Sequence, residues 1–179
     1  MQDPLLYDMV KVGDQRDFIL DQIMFPIIGH WVGCFLRFGF LLEPHGQNVL
    51  FEVDPGMNIS RIVYRDLNLG IDNRRRRDLN IPITGENTNN RMEGGEFGSI
   101  TYDKFMGGHF FDRLVIAAMD RDPSLGPEDF RDPCRKEFAR LFPEHQRYLP
   151  RTVQYFSEES DQFGKPLYKD TETSPSWRP

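Results

Sequence analysis

Apolar side chains recur at intervals of three and four from Phe18 to Phe38, through Ile19, Ile23, Ile27, Trp31, Cys34 and Phe35. That spacing lays a wide apolar stripe on one face and predicts a helix over 15–38. Asp14 is its expected N-cap, with Asp17 in the first turn. Pro26 predicts a kink or division near Met24 or Phe25, and Gly39 a C-terminal stop. The period then changes to two. Val49, Phe51 and Val53 alternate with polar neighbours, Asp54-Pro55-Gly56-Met57-Asn58 has the composition of a turn, and 59–66 is rich in β-branched residues. These features predict a β-hairpin. Residues 67–100 are polar and rich in Gly and Asn and read as one long loop. A helix is expected near 104–119 and another over 127–141, limited by Pro133. The part after Pro143 scatters Tyr148, Tyr155, Phe156, Phe163 and Tyr168 among polar residues. The pattern divides the chain into a lead-in over 1–14, one α+β domain over 15–168 and a flexible tail over 169–179. The expected architecture is a long kinked helix, a central antiparallel hairpin and a helical C-terminal part.

Composition narrows the function classes. The chain has 179 residues, enough for one domain with a substantial core. Aromatics reach 13%, including 15 Phe, and demand burial. The net charge of -6 argues against bulk electrostatic binding to nucleic acid or anionic lipid. Residues 23–42 are long enough to span a bilayer, but Pro26, His30, Arg37 and the glycines within them favour a buried core helix. A central Arg alone costs roughly 2.5–3.5 kcal/mol on insertion. Two cysteines, Cys34 and Cys134, form no disulfide framework or Cys-x-x-Cys zinc pattern. The N-terminus lacks a basic segment followed by an apolar one, so no secretory signal and a cytoplasmic location are expected.

The densest chemistry lies at Glu43-Pro44-His45-Gly46-Gln47-Asn48, then the hairpin, then Arg65-Asp66. If Asp54 pairs with Ser60 across the turn, Asn48 falls opposite Asp66, with side chains about 5 Å apart at Cβ. An amide oxygen and a carboxylate would then emerge together, with Glu43, His45 and Gln47 beside them. Hard oxygen donors gathered this way suit Mg²⁺ and a nucleotide's phosphates. Kinase-type sites hold Mg·ATP with a similar layout. They also place a catalytic Asp before the Asn, which this stretch lacks, so phosphoryl transfer to an alcohol is disfavoured.

The series Glu-x-His-Gly-Gln-Asn, hairpin, Arg-Asp, preceded by Phe35-Leu36-Arg37-Phe38-Gly39, resembles the C-terminal catalytic region of the NRPS-independent siderophore synthetases of the aerobactin-synthetase type. The clear resemblance covers roughly residues 20–70. It implies a palm-and-thumb fold that activates a carboxylate, often citrate, with ATP and Mg²⁺ to an acyl-adenylate. An amine, hydroxylamine or alcohol then attacks. By position, the resemblance gives His45 the phosphates or the activated carboxylate. It gives Gln47, Asn48 and Asp66 the nucleotide, and Glu43, Asn48 and Asp66 the metal, while Arg65 is a structural or phosphate-side cation. Family members are several times longer. The expectation is therefore a fragment, one half of a split enzyme that works with an N-terminal partner subunit or as a homo-oligomer, or a shrunken relative that has lost the reaction. The alternative is a non-catalytic binding protein that retains the scaffold.

The remaining signals are simpler. Arg74–Arg77 reads as a solvated run balanced by Asp72 and Asp78, with phosphate or tricarboxylate binding as the alternative. His30 reads as a core histidine, and His109 and His145 as isolated surface or packing residues. No two histidines have zinc-ligand spacing. Gly94-Gly95-Glu96-Phe97-Gly98 follows no legible strand and is weak as a phosphate loop.

Overall fold

The computed structural model describes Met9 and residues 15–66, 69–82, 91–162 and 164–179. Asp14, Phe163 and most of the lead-in lie outside the described residues. The class is α+β, with a long helix, small sheets and a largely helical second half.

Helix α1 runs Gln15–Phe38. Its segment Ile19–Met24 is π-helical, and Phe25 donates back to the Leu20 carbonyl. The wide stretch ends just before Pro26, whose missing N–H would otherwise interrupt a regular ladder. The expected division at Met24 and Phe25 is therefore a change of helical pitch. Gly39 closes the helix in the left-handed region, at φ 67°, where a Cβ is costly. The helix is long and apolar enough to cross a membrane, and half of it is buried inside this fold.

Strand β1 (Phe40–Leu41) pairs antiparallel with β4 (Gly70–Asp72), which pairs parallel with β5 (Arg91–Met92). Strands β2 (Val49–Val53) and β3 (Ile59–Tyr64) form the hairpin around the turn at 54–58. Asp54 sets that turn. Its backbone accepts from Met57, and its carboxylate accepts from the Asn58 N–H at 2.9 Å. The alternation holds: Val49 is buried, Phe51 half-buried, and Leu50 and Glu52 face water. The register differs by one from the Asp54–Ser60 expectation. Val49 opposes Tyr64, and an irregularity between Glu52 and Val53 takes up the extra residue.

The expected loop over 67–100 holds structure. Besides β4 and β5 it contains helix α2 (Asn73–Asp78) and the start of helix α3 (residues 96–121), which is π-helical over Ile100–Phe111. Helix α4 is Glu128–Leu141 and packs against α1. A second hairpin, β6 (Gln154–Ser160) with β7 (Pro166–Asp170), lies in the part read as scattered aromatics. The core joins these elements through aromatic rings. Trp31 of α1 meets Tyr102 of α3 edge-on at 5.1 Å, and Tyr102 meets Phe138 of α4 at 4.5 Å. Each such pair adds about 0.5–1.5 kcal/mol beyond its area.

The arginine run is only partly solvated: Arg77 is exposed and Arg74 pairs with Asp72, as expected, but Arg75 and Arg76 turn to the end of α1. Arg75 donates to the Leu36 carbonyl at 2.6 Å and Arg76 to that of Phe38 at 3.2 Å. These are unpaired carbonyls of the last turn of α1, so two side chains of α2 complete its C-terminus. Arg74 bridges Asp72 and the Tyr148 carbonyl, and Arg77 pairs with Glu93. The glycine run after β5 is also structural: a Cβ on Gly95 would sit 2.1 Å from the Tyr148 carbonyl oxygen.

The tail over 169–179 departs from the expected flexible segment. Val153 bonds Thr171 and Thr173 beyond β7, and Trp177 and Arg178 are buried. Trp177 fits against Gly107, where a Cβ would come within 2.4 Å of the indole, and meets Phe111 edge-on. Arg178 grips Asp103 through Nε at 3.0 Å and Nη2 at 2.9 Å, with both side chains 2% exposed. Burial pushes the Asp103 carboxyl up, while Arg178 and the Ser99 hydroxyl pull it back.

Candidate active site at the hairpin base

Leaving α1 and β1, the chain makes a tight turn before β2. The His45 N–H donates to the Glu43 carbonyl at 2.9 Å, and the Asn48 N–H to the His45 carbonyl at 2.8 Å. This turn carries Glu43, His45 and Gln47 to the open end of the hairpin. The Arg65 N–H donates to the Asn48 carbonyl at 3.0 Å, so Arg65 rather than Asp66 stands across from Asn48. Asp66 follows with φ 52°, a left-handed residue that turns the chain out of β3.

Glu43, Asn48, Arg65 and Asp66 line one cleft with Leu42, Tyr64 and Leu69. The register shift thus preserves the expected meeting of Asn48 and Asp66 through the bend at Asp66. The cleft measures only about 10 Å³, the space of roughly one water. Asn48 is buried and its amide donates to the Glu43 carbonyl at 3.5 Å, which leaves its side-chain oxygen as an acceptor. Burial raises the Glu43 carboxyl above its usual range. Arg65 reaches the Gln47 carbonyl at 2.6 Å and the Asp66 carboxylate at 3.7 Å.

His45 and Gln47 stand apart from this cleft. The His45 ring meets Phe105 of α3 edge-on at 5.8 Å, and Phe105 also meets His109 at 5.8 Å. Burial, then His109 and Arg65, push His45 below its ordinary value, and Asp66 pulls it back. Gln47 is exposed and contributes its backbone carbonyl. Sequence reasoning missed Phe105 and His109, because nothing local links the loop at 43–48 to a helix sixty residues on. His30 is not a core residue: it lies exposed, with Nδ1 3.1 Å from the Tyr64 hydroxyl. His145 is buried between Phe138 and Phe142, with Nδ1 on the Phe142 carbonyl at 3.0 Å.

Among the described residues no three His, Cys, Asp or Glu side chains gather as a metal cage. Two carboxylates and an amide nevertheless face one small cleft. Hard oxygens of that number fit Mg²⁺, which takes one or two carboxylates and completes its shell from phosphates and water. A cation there would also offset the desolvation of Glu43.

A similar arrangement occurs in a solved structure. It is the petrobactin biosynthesis protein AsbB from Bacillus anthracis str. Sterne, at TM-score 0.61 and 14% identity. The chain has the fold of one part of that protein. The likeness covers 94% of this chain and 31% of AsbB, so the chain spans about a third of that protein's length. No family model and no curated protein matches the chain.

Proposed function

We propose that the chain is an ATP- and Mg²⁺-dependent, carboxylate-activating ligase module of siderophore biosynthesis. The observation that carries this reading is the convergence of Glu43, Asn48, Arg65 and Asp66 on one cleft. The residues come from both ends of a hairpin and belong to the series that resembles siderophore synthetases. The AsbB-like fold supports the scaffold. In this reading a carboxylate oxygen attacks the α-phosphorus of ATP, pyrophosphate leaves, and an amine, hydroxylamine or alcohol then displaces AMP. The acid is already ionised at neutral pH, so the first step needs positioning and charge neutralisation more than a general base. Glu43, Asn48 and Asp66 would hold Mg²⁺, which supplies positive charge against the phosphates. Arg65 would steady the Gln47 backbone and face the phosphate side, and His45 would approach from the Phe105 wall. Citrate or a similar polycarboxylate is the proposed acid, and a cytoplasmic location suits ATP use.

The small cleft and the one-third span favour work with further protein, either an N-terminal partner or a second copy. They equally favour a second reading, a non-catalytic binding protein on a synthetase scaffold. Carboxylate-dependent ATP–pyrophosphate exchange separates the two, run on the chain alone and with its genomic neighbours over a panel of di- and tricarboxylic acids. Exchange is the expected result, and its absence throughout leaves the second reading. For the site, Asn48→Ala and Asp66→Ala should each weaken Mg·ATP binding by at least about tenfold in calorimetry while remaining folded. Unchanged affinity in both removes the site assignment.

A further inference from the structure

We propose that the groove between α1 and β3 binds a small organic acid with an apolar body, its carboxylate held by Arg37 and its body lying over Gly29 and Gly33. The groove is a cavity of about 470 Å³, within the range of small-molecule sites. Gly29 and Gly33 form its floor, and a Cβ built on either meets nothing within 4 Å. The helix therefore offers bare backbone where any other residue would fill the space. Phe38, Leu42 and Ile62 add apolar walls, and Phe38 is 48% exposed.

The polar groups of the groove are few. His30 and Tyr64 satisfy each other at 3.1 Å. Cys34 is half-buried, and burial raises its thiol. Arg37 differs from the Arg74–Arg77 run, each member of which has a partner. Among the described residues no hydrogen bond or carboxylate reaches the Arg37 guanidinium. A free fork of N–H donors at the end of an apolar trough is complementary to one carboxylate on an apolar body. A cationic or uncharged ligand would leave it unused.

The groove shares Leu42 and Tyr64 with the cleft at the hairpin base. If the ligase reading holds, the bound acid is a candidate for activation there. That extension rests on the ligase reading, whereas acid binding in the groove does not.

Cys34 reports on occupancy. Its alkylation by iodoacetamide in alkaline buffer, followed by mass spectrometry, is the readout, with buried Cys134 as the slow reference. Phenylacetate, 2-phenylethanol and phenethylamine share one body and differ in charge. Phenylacetate should protect Cys34 saturably, 2-phenylethanol should need about tenfold more, and phenethylamine should not protect. Arg37→Gln should erase the difference between the first two. Gly33→Leu should fill the trough and abolish protection without any loss of thermal stability, since leucine is also a better helix former than glycine. Absence of protection by phenylacetate, equal protection by all three, or full protection in Gly33→Leu would each overturn the proposal. The assay contains neither nucleotide nor metal, so its failure and that of the exchange experiment remain distinguishable.

Discussion

Replacing Arg178 with Met tests how firmly the C-terminal segment is built into the core. Arg178 makes three contacts of 3.2 Å or less to the Asp103 carboxylate and one of 2.8 Å to the Pro150 carbonyl. Both side chains are 2% exposed, so solvent does not dilute the pair as it does at a surface. Removing one member of a buried pair costs about 3–5 kcal/mol, because the other charge stays buried without compensation. For a chain of this length that lowers Tm by roughly 6–20 °C. Asp103 would retain the Ser99 hydroxyl at 2.6 Å, which offsets only part of the loss. The sign of the pH response follows from the carboxyl. Asp103 already has a raised pKa in the folded state, and loss of Arg178 raises it further. The folded state then holds a proton over a wider range above the ordinary Asp value than the unfolded chain does. Its stability relative to the parent therefore falls as pH rises through that window and recovers on acidification. Urea unfolding followed by circular dichroism at neutral and mildly acidic pH reads both effects. Asp103→Asn combined with Arg178→Met should regain much of the loss, since no charge remains buried. A single-variant loss below about 1 kcal/mol, independent of pH, would be the behaviour of a surface pair and would refute the buried anchor.

Gly95→Ala should destabilise by about 1–3 kcal/mol in denaturant melts, because its Cβ would collide with the Tyr148 carbonyl, whereas Gly33→Ala should stabilise by roughly 0.8–1 kcal/mol, having open space and a better helix former. Trp177→Ala should cost about 3–5 kcal/mol, measured the same way, since the indole fills the room left by Gly107. Partial desolvation of the ring beside Tyr64 lowers the His30 pKa, so its contribution to stability is present above the ordinary His value and is lost as pH falls through the window below it. A His30 titration by NMR with a midpoint at or above about 6.5 would contradict that.

The sequence revealed elements whose signal is local. Three- and four-residue spacing marks α1, alternation marks β2 and β3, and Gly39 and Asp54 end or turn the chain through their own backbone or side chain. The hairpin register slipped by one because the irregularity at Val53 leaves no mark in alternation. Strands β1, β4 and β5 have two or three residues each, too few to express a period. The arginine run looked solvated throughout because the partners of Arg75 and Arg76 are carbonyls of α1, invisible in a string of side-chain types. The tail misled for a similar reason: two polar-flanked residues, Trp177 and Arg178, find their seat beside Gly107 and Asp103. At the candidate site, Glu43, Asn48, Arg65 and Asp66 were legible from residue type and hairpin spacing. Phe105 and His109 were not, since only tertiary packing brings α3 to His45.

The arginine stitches across the end of α1 respond unusually to electrolyte. Added salt weakens attraction between separated surface charges, but short bonds from guanidinium to neutral peptide oxygens depend little on the ionic atmosphere. Four adjacent cations would ordinarily make a junction loosen or tighten with ionic strength. Here Arg75 and Arg76 spend their donors on amide dipoles of the first helix, so that seam should hold across a broad range of salt. Lysine, lacking the planar fork, could not aim two fixed donors at the one Leu36 oxygen as Arg75 does through Nε and Nη2.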